Sequence, residues 1–269
     1  MFSMVVVCLN AGESLLKTVQ SILMQTYKNY EIIIKDGLSF DGSIEKLPAD
    51  EKIHVYREKD RGIYDAMNQA LEKVTGEYVY FLNCGDLLYN KDVLQKVNLL
   101  IEANTDKTKE KDNVSPGTIF YGNIYERITK EIVVSNPHID AFACYRNVPC
   151  HQACFYGSRL MDEKKFNIKY VVRADYEHFL WCYFSGNADM IHLPFLVADY
   201  EGGGFSETNE NRSKSKNEHK EITEMYMKKG QVLKYKAIML LTLAPIRTWL
   251  SRNRVTSHFY NWMKKNLYR

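Results

Sequence analysis

Apolar runs rich in β-branched residues alternate with segments of helical periodicity along the first hundred residues. This alternation is typical of βαβ units around a mainly parallel sheet, because such strands are buried on both faces and the helices on one. The pattern predicts strands at Met4–Leu9, Glu31–Lys35, Ile53–Tyr56 and Glu77–Leu82, and helices at Glu13–Thr26, from about Gly62, and from about Lys91 to Ala103. We therefore expect an α/β fold with a Rossmann-like, mainly parallel sheet flanked by helices.

The pattern changes after Asn104–Gly117, a polar and charged segment that is predicted to be a surface loop. Further elements are expected beyond it: a hairpin-like pair at Thr118–Tyr125 and Glu131–Val134, a strand at His151–Gly157 and a helix at about Asp175–Phe184. Ser206–Lys220 has almost no apolar content, which predicts either a mobile loop or the solvated start of a helix.

Composition and charge separate the chain into a body and a tail. With 269 residues and 45% hydrophobic residues the chain is long and apolar enough for a large core, which excludes a disordered or collagen-like protein. Residues 225–269 carry ten basic residues and no acidic one, whereas residues 1–224 have a net charge of −7. We expect a folded domain over 1–224 and a basic amphipathic helical tail over 225–269, with different roles.

The compartment follows from the cysteines and the N-terminus. The six cysteines lie mostly in apolar surroundings, and the chain starts without a basic leader, so the reducing cytosol is expected. The longest apolar run, Ala237–Ile246, is interrupted by Thr242 and Pro245 and is shorter than the roughly 20 residues that span a bilayer. This excludes a polymer synthase embedded in the membrane with its own pore.

Polar residues follow nearly every predicted strand of the first half. They are Asn10-Ala11-Gly12, Asp36-Gly37, the segment Glu58–Gly62, and Asn83-Cys84-Gly85-Asp86. In an open α/β sheet the ligand binds beyond the carboxyl ends of the strands, so these residues are the first candidates for a site. One such segment alone predicts only a turn, but four at successive strand ends indicate function.

The order of these motifs resembles a known family. VVVCLNAGESLLKTVQSILMQTYKNYEIIIKDGLSFDGS, then EKDRGIYDAMNQAL, then GEYVYFLNCGD are similar to glycosyltransferase family 2 enzymes of the GT-A fold, in particular small bacterial members that build surface polysaccharides. The resemblance is strong over about residues 3–100 and weaker through HQACFY and RADYE. It implies a nucleotide-sugar half at about 1–103 and an acceptor half at about 118–205.

The resemblance implies that a nucleotide-diphosphate sugar lies across the carboxyl edge of the sheet. Asn10 is then near the nucleotide and Asp36 accepts a hydrogen bond from the base, and an acceptor-only carboxylate suits the imide N–H of uracil. Asp41 is expected to cap the start of a helix instead of binding ligand.

The segment that starts the second helix is implied to line the ribose and sugar pocket. Gly62 leaves room for close approach of the backbone to a ligand, and Arg61, beside Asp60, offers a charge to a phosphate. Asn68 is assigned to the same pocket, with packing inside the helix as an almost equal alternative.

Asn83-Cys84-Gly85-Asp86 stands where the family has its aspartate-rich metal motif. Mn²⁺ or Mg²⁺ held there stabilises the charge that develops on the diphosphate leaving group. The segment departs from the family pattern, because Asp86 is its only carboxylate while Asn83 and Gly85 replace the other acids. We expect Asp86 to be the metal ligand and Asn83 to contact the donor.

An inverting transfer needs a general base for the acceptor hydroxyl. The family places an Asp at the start of a helix well after the metal motif, and Asp175 in RADYE fits that position. Glu177 is assigned to the acceptor cleft, although two residues so spaced on a helix cannot point the same way. The alternative for Asp175 is a carboxylate that only favours the helix N-terminus.

His151 and Gln152 are interpreted as lining the cleft between donor and acceptor, with a core histidine as the alternative. A zinc cluster of Cys144, Cys150, His151 and Cys154 is a weak alternative. Its spacing lacks paired C-x₂-C knuckles, and strand alternation would divide the ligands between two faces.

The expected protein is an inverting glycosyltransferase that moves one sugar from a nucleotide-diphosphate sugar, preferably a UDP-sugar, to a hydroxyl of a lipid-linked saccharide. The tail is expected to bind the inner face of the cytoplasmic membrane, or its apolar stripe docks on the domain instead. We expect no nucleic-acid partner. The rival hypotheses are a sugar-1-phosphate nucleotidyltransferase, which should have a glycine-rich loop where Asn10-Ala11-Gly12-Glu13 stands, and a non-catalytic binding module of the same fold.

Overall fold

The structure is a computed structural model that describes residues 1–105, 117–204 and 208–242. The chain divides into two compact units, Met1–Ile222 and Thr223–Arg269. The first unit contains all the predicted site residues. Most of the predicted tail, from residue 243 onward, and residues 106–116 of the predicted loop lie outside the described residues.

The elements of the described residues alternate in the predicted order through the first half. The strands are β1 Phe2–Cys8, β2 Tyr30–Asp36, β3 Ile53–Arg57, β4 Tyr78–Phe81, β5 Leu87–Leu88, β6 Thr118–Glu126, β7 Glu131–Val133, β8 Cys154–Gly157 and β9 Asp189–Tyr200. The helices are α1 Glu13–Leu23, α2 Ile63–Leu71, α3 Val93–Thr105, α4 Ala141–Arg146, α5 Ser158–Glu163, α6 Ala174–Phe184, α7 Asn209–Tyr226 and α8 Lys229–Leu241.

The described strands form one sheet in the order β3-β2-β1-β4-β8-β6-β9-β5, with β7 paired to β6. The strands β3, β2, β1 and β4 are parallel, as the apolar pattern predicts. β8 lies antiparallel between β4 and β6, and β9 runs parallel to β6. Because the first four strands are parallel, their carboxyl ends share one edge, and the candidate residues collect there.

Burial explains the local structure of the first half. Nearly every side chain of β1 and β2 is buried, which fits strands that are covered on both faces. The helix α1 buries Leu15, Val19 and Ile22 along one stripe, as its periodicity predicts. This packing fixes the loops that follow β1 and β2.

Two strands of the second half differ from the predicted elements, and one predicted alternative is decided. The strand predicted at His151–Gly157 starts only at Cys154, because His151–Ala153 form a 3₁₀ turn. β9, a strand of 12 residues, is absent from the predicted set. Most of Ser206–Lys220 belongs to α7, so the helical alternative for that segment is the correct one among the described residues.

Three further expectations concern the membrane, the cysteines and the helix after Asp41. Among the described residues no helix combines the length and the apolarity that crossing a bilayer requires. All six cysteines are free thiols, and four of them are buried. The helix predicted after Asp41 does not form, since bends at residues 41–42 and turns at residues 43–46 take its place.

Candidate active site

The carboxyl ends of β1, β2 and β3 are level with one another. Cys8 pairs with Asp36 and Asp36 with Arg57 in the sheet register. This places the loops after the three strands side by side, as the topology requires.

Asp36 is fully buried, and its carboxylate is occupied by groups of the chain itself. It accepts hydrogen bonds from the Ser39 backbone N–H at 3.0 Å, the Ser39 hydroxyl at 2.5 Å and Arg57 Nε at 3.0 Å. The Arg57 side chain is 43% exposed, and its Nη2 also donates to the Ser39 carbonyl. A nucleobase would therefore meet Arg57 and the Ser39 loop before it meets Asp36.

Asn10 joins the loops that follow β1 and β2. Its side-chain oxygen accepts from the Phe40 backbone N–H at 3.0 Å, and its own N–H donates to Ser39 Oγ at 2.7 Å. Its φ of +50° is a conformation that L residues other than Asn and Asp rarely adopt. Asp41 accepts from the N–H groups of Gly12 and Ser43, so it fixes the same pair of loops.

Asp60 connects the end of β2 to the start of α2. One carboxylate oxygen lies 3.0 Å from Nζ of Lys35, a lysine that is 1% exposed, and the other accepts from the Gly62 N–H at 3.1 Å. The Lys35 ammonium also donates to the Glu58 carbonyl at 2.6 Å. A buried lysine needs such partners, so this pair fixes where α2 begins.

Of the other residues assigned to the sugar pocket, Arg61 is exposed to solvent, whereas Asn68 is hydrogen-bonded inside the protein. The Arg61 side chain is 75% exposed and pairs with Asp65 at 3.0 Å. The Asn68 amide is instead occupied by the protein, because it donates to the Phe166 carbonyl and accepts from the Phe166 N–H, both at 2.9 Å. The structure thus places Asn68 in the packing role.

The metal motif forms a turn against the end of β9. Asp86 is 4% exposed and accepts from the Glu201 backbone N–H at 2.8 Å. Gly85 has a φ of +100°, and a Cβ there would lie 2.0 Å from Oε2 of Glu201. Glu201 could move its flexible carboxylate away, so the backbone conformation is what requires glycine at position 85.

The donor groups of this turn fit a divalent cation. Burial, with the carboxylates of Glu201 and Asp199, raises the pKa of Asp86 from 3.8 to about 7, against the Glu201 N–H and Arg127, which lower it. The side-chain oxygen of Asn83 is buried and has no hydrogen-bond partner among the residues that the structure describes. An ionised carboxylate and an unpartnered amide oxygen are ligands that Mg²⁺ and Mn²⁺ accept.

Asp175 lies in the first turn of α6 and contacts α2. Its Oδ1 is 2.8 Å from the hydroxyl of Tyr64, two residues beyond Gly62. The Asp175 side chain is only partly buried. The structure therefore places Asp175, from the second half of the chain, next to α2, the helix that begins near the carboxyl edge of the parallel strands.

The remaining cleft candidates are more deeply buried. His151 is stacked on Phe81 with ring centroids 5.1 Å apart, and burial lowers its pKa, so the imidazole is neutral. The Gln152 side chain accepts from the Cys150 thiol at 3.0 Å. Glu177, 1% exposed, pairs with Lys164 at 2.5 Å.

The zinc alternative finds no support in the geometry. Among the described residues no three His, Cys, Asp or Glu side chains are grouped in a way that could hold a metal, at these cysteines or at the Asp86 turn, where Asp86 and Asn83 offer two oxygen ligands and not a complete set. The Cys154 thiol donates to the Cys150 carbonyl instead. Burial raises the pKa of Cys150 to about 12, so this thiol stays protonated.

Comparison with known proteins decides the family. Residues 3–159 match the model of glycosyl transferase family 2. The chain belongs to this family. It is therefore a glycosyltransferase, which excludes the nucleotidyltransferase alternative.

The glycosyltransferase has a relative of similar length and structural neighbours of the same fold. It is 30% identical over 215 residues to a PGL/p-HBAD biosynthesis glycosyltransferase of Mycobacterium bovis, covering 77% of this chain and 80% of the relative. S. aureus TarS 1-349 in complex with UDP-GlcNAc has a TM-score of 0.64 at 15% identity, covering 89% of this chain and 71% of that chain.

A second structure is the mannosyltransferase PcManGT from Pyrobaculum calidifontis in complex with GDP-Man and Mn²⁺. Its TM-score is 0.64 at 15% identity, with coverage of 97% of this chain and 83% of that chain. Likenesses at this identity show the fold alone, and they confirm the expected GT-A arrangement.

Sequence reasoning missed the residues that hold the site together. Lys35, Arg57, Tyr64 and Glu201 contact the candidate residues, yet none was assigned a role. Lys35 had a usable signal, because a lysine at the end of an apolar strand run needs a buried partner.

Proposed function

We propose that this glycosyltransferase is an inverting enzyme that moves a single sugar from a nucleotide-diphosphate sugar, preferably a UDP-sugar, to a hydroxyl of a lipid-linked saccharide in surface-polysaccharide synthesis. The observation that carries the proposal is the 2.8 Å contact between Asp175 and Tyr64. It places the partly exposed carboxylate of Asp175, from the second half of the chain, beside α2, the helix that begins near the carboxyl edge of the parallel strands.

In this proposal the donor lies against Asn10, Arg61 and Gly62, whose exposed atoms face solvent at the carboxyl edge. Asp36 and Asp60 contribute by fixing these loops through their internal hydrogen bonds, and Asn68 contributes by attaching α2 to Phe166. Asp175 takes the proton of the acceptor hydroxyl while that oxygen attacks the anomeric carbon and the nucleoside diphosphate leaves. Attack from the face opposite the leaving group inverts the configuration.

Mn²⁺ or Mg²⁺ would be held by Asp86 together with Asn83. When bound, the ion stabilises negative charge on the leaving diphosphate. Glu201 and Asp199 add negative charge near the same turn. Replacing Asp86 with Ala is expected to abolish the tightening of UDP binding by Mn²⁺ in calorimetry, and an unchanged metal effect contradicts the assignment.

The preference for uridine rests on the group around Asp36. This carboxylate, Arg57 and the Ser39 loop present fixed donors and acceptors at the place where the base of a donor would lie. We expect UDP to raise the melting temperature more than GDP or CDP does, and Asp36→Asn to reduce that shift. A larger stabilisation by GDP contradicts the preference.

Membrane binding through the tail is proposed from the sequence. Ten basic residues without an acidic one would attract an anionic surface by about 1 kcal/mol per residue near the lipid. Of the described tail residues, Leu233, Leu240 and Leu241 are at least 70% exposed. Sedimentation with anionic liposomes at low salt tests this, with a chain ending at Gly230 as the control that should remain in the supernatant.

A donor screen tests the reaction itself. UDP or GDP release is measured from a panel of nucleotide sugars with Mn²⁺, with water and alkyl glucosides offered as hydroxyl acceptors. Asp175→Asn should abolish release while UDP binding is retained. If no nucleotide sugar is turned over, or if Asp175→Asn has full activity, the proposed mechanism is refuted.

A further inference from the structure

The segment before α6 is held by a side chain from a distant helix. The backbone N–H groups of Val171, Val172 and Arg173 all donate to the carboxylate of Glu218 in α7, at 2.9, 3.0 and 2.8 Å. These residues immediately precede Ala174, the first residue of α6. Glu218 therefore receives three consecutive amides beside the start of the helix that carries Asp175.

Glu218 binds amides up to that of Arg173, the N-cap residue of α6, while within the first turn of the helix the Tyr176 N–H donates to Asp175 Oδ1 at 2.8 Å. The first N–H groups of a helix lack partners inside it, and no side chain of Arg173 caps α6. A carboxylate near a helix N-terminus is also favoured by the helix dipole. The Arg173 side chain strengthens the attachment, since its Nε donates to Ser215 Oγ at 2.8 Å.

Tyr64 holds the same segment from α2. Its hydroxyl oxygen lies 2.9 Å from the Val172 carbonyl oxygen and 2.8 Å from Asp175 Oδ1. Burial, together with the Asp175 carboxylate, raises the pKa of the Tyr64 phenol well above its usual value, so the phenol keeps its hydrogen. A single hydrogen therefore has two oxygen acceptors within reach.

We propose that Tyr64 and Glu218 are positioning residues that hold Asp175 in the orientation required of the general base. This inference rests on the proposed function. Glu218 fixes the backbone of the segment, and Tyr64 fixes the carboxylate that follows it. The phenol of Tyr64 thus fixes the position of the Asp175 carboxylate relative to α2.

The proton balance is simple. Before transfer Asp175 is ionised, and the Tyr64 hydrogen is donated to its Oδ1. The acceptor hydroxyl then loses its proton to Oδ2 of Asp175 as its oxygen bonds to the anomeric carbon, while the bond from that carbon to the diphosphate oxygen breaks and the nucleoside diphosphate leaves with the electron pair. Oδ1 of the resulting acid is a weaker acceptor, and the Tyr64 hydrogen turns to the Val172 carbonyl, so Tyr64 ends with the hydrogen it started with.

Loss of either contact should slow the transfer step and leave donor binding intact. Misplacing a catalytic group by an ångström costs up to about 100-fold in rate. We expect Tyr64→Phe and Glu218→Gln each to lower kcat at least about tenfold, with KM for the donor and Kd for UDP within about twofold of the unsubstituted enzyme.

The matched control is Glu210→Gln. Glu210 lies on the same helix, eight residues before Glu218, and pairs with Lys214 of α7 itself at 2.7 Å. This control variant loses one carboxylate charge, as Glu218→Gln does, and its kcat should equal that of the unsubstituted enzyme. UDP release from the donor selected by the screen, UDP calorimetry and melting temperature are measured for all variants.

The outcomes separate this inference from the proposed function. Slow turnover with intact UDP binding in Tyr64→Phe and Glu218→Gln supports the positioning role. Unchanged kcat in both, while Asp175→Asn is inactive, overturns it and leaves the proposed function standing. Full activity of Asp175→Asn refutes the proposed function and this inference with it. Should Glu218→Gln fail to fold, Tyr64→Phe, which removes one oxygen, decides alone.

Discussion

Replacing Asp86 with Asn should make the metal-free enzyme more stable. Burial places the pKa of Asp86 at about 7 instead of 3.8, so ionising it in the folded protein is costly. At about 1.4 kcal/mol per pKa unit, the ionised carboxylate lowers the free energy of unfolding by about 4 kcal/mol at about pH 8. Asn has nearly the same shape, and its oxygen accepts from the Glu201 N–H in the same way.

The sign of the pH dependence follows from the direction of this shift. The folded state holds the proton more tightly than the unfolded chain does. The stability contributed by the neutral carboxyl is therefore complete below about pH 4 and is lost as the pH rises through about 7. The advantage of Asp86→Asn should be about 4 kcal/mol at about pH 8 and about 2 kcal/mol at about pH 5.

Urea unfolding of both proteins in EDTA, at several pH values, measures this difference. Taking the difference between the two proteins removes the contribution of every other titrating group. Added Mn²⁺ should stabilise the unsubstituted enzyme at about pH 8 and leave Asp86→Asn unchanged. A variant that is less stable at every pH, or a difference that does not vary with pH, refutes the reasoning.

Three further outcomes are expected. Mn²⁺ should bind about tenfold more tightly at about pH 8 than at about pH 6 by calorimetry, because the metal competes with the proton on Asp86. Gly76→Ala should lower the free energy of unfolding by about 2 kcal/mol, since its Cβ would lie 2.8 Å from a backbone nitrogen of β1, whereas Gly204→Ala should be neutral. Tyr80→Phe should cost about 1–3 kcal/mol in urea unfolding, because the buried Gln152 carbonyl loses its 2.6 Å partner.

The parallel half of the sheet was predictable because strands that are buried on both faces have nearly continuous apolar sequences. β1 and β2 are almost entirely buried, and their apolar runs match the observed strands within two residues at each end. β9 has no such apolar run, since only three of its 12 residues are buried and its sequence includes Pro194. It is a strand because β6 and β5 pair with it, which is a tertiary cause.

The candidate site follows the same division. Topology alone predicts that Asn10, Asp36 and Asp86 lie at one edge, because parallel strands end together. The contacts that fix them are not predictable from one sequence. Asp36 meets Arg57 across 21 residues, and Tyr64 meets Asp175 across 111. Such pairs depend on how elements pack, and their residue types carry no local signal.

The strand β8 has a consequence for how the chain is synthesised. Its four residues fill the place between β4 and β6. Until Cys154–Gly157 leave the ribosome, β4 has β1 as its only sheet neighbour and presents an open edge of apolar residues, YVYF. Open edges recruit strands from other chains. A nascent chain or fragment ending near residue 105 is therefore an aggregation hazard, because the apolar edge of β4 is covered only after β8 has been synthesised.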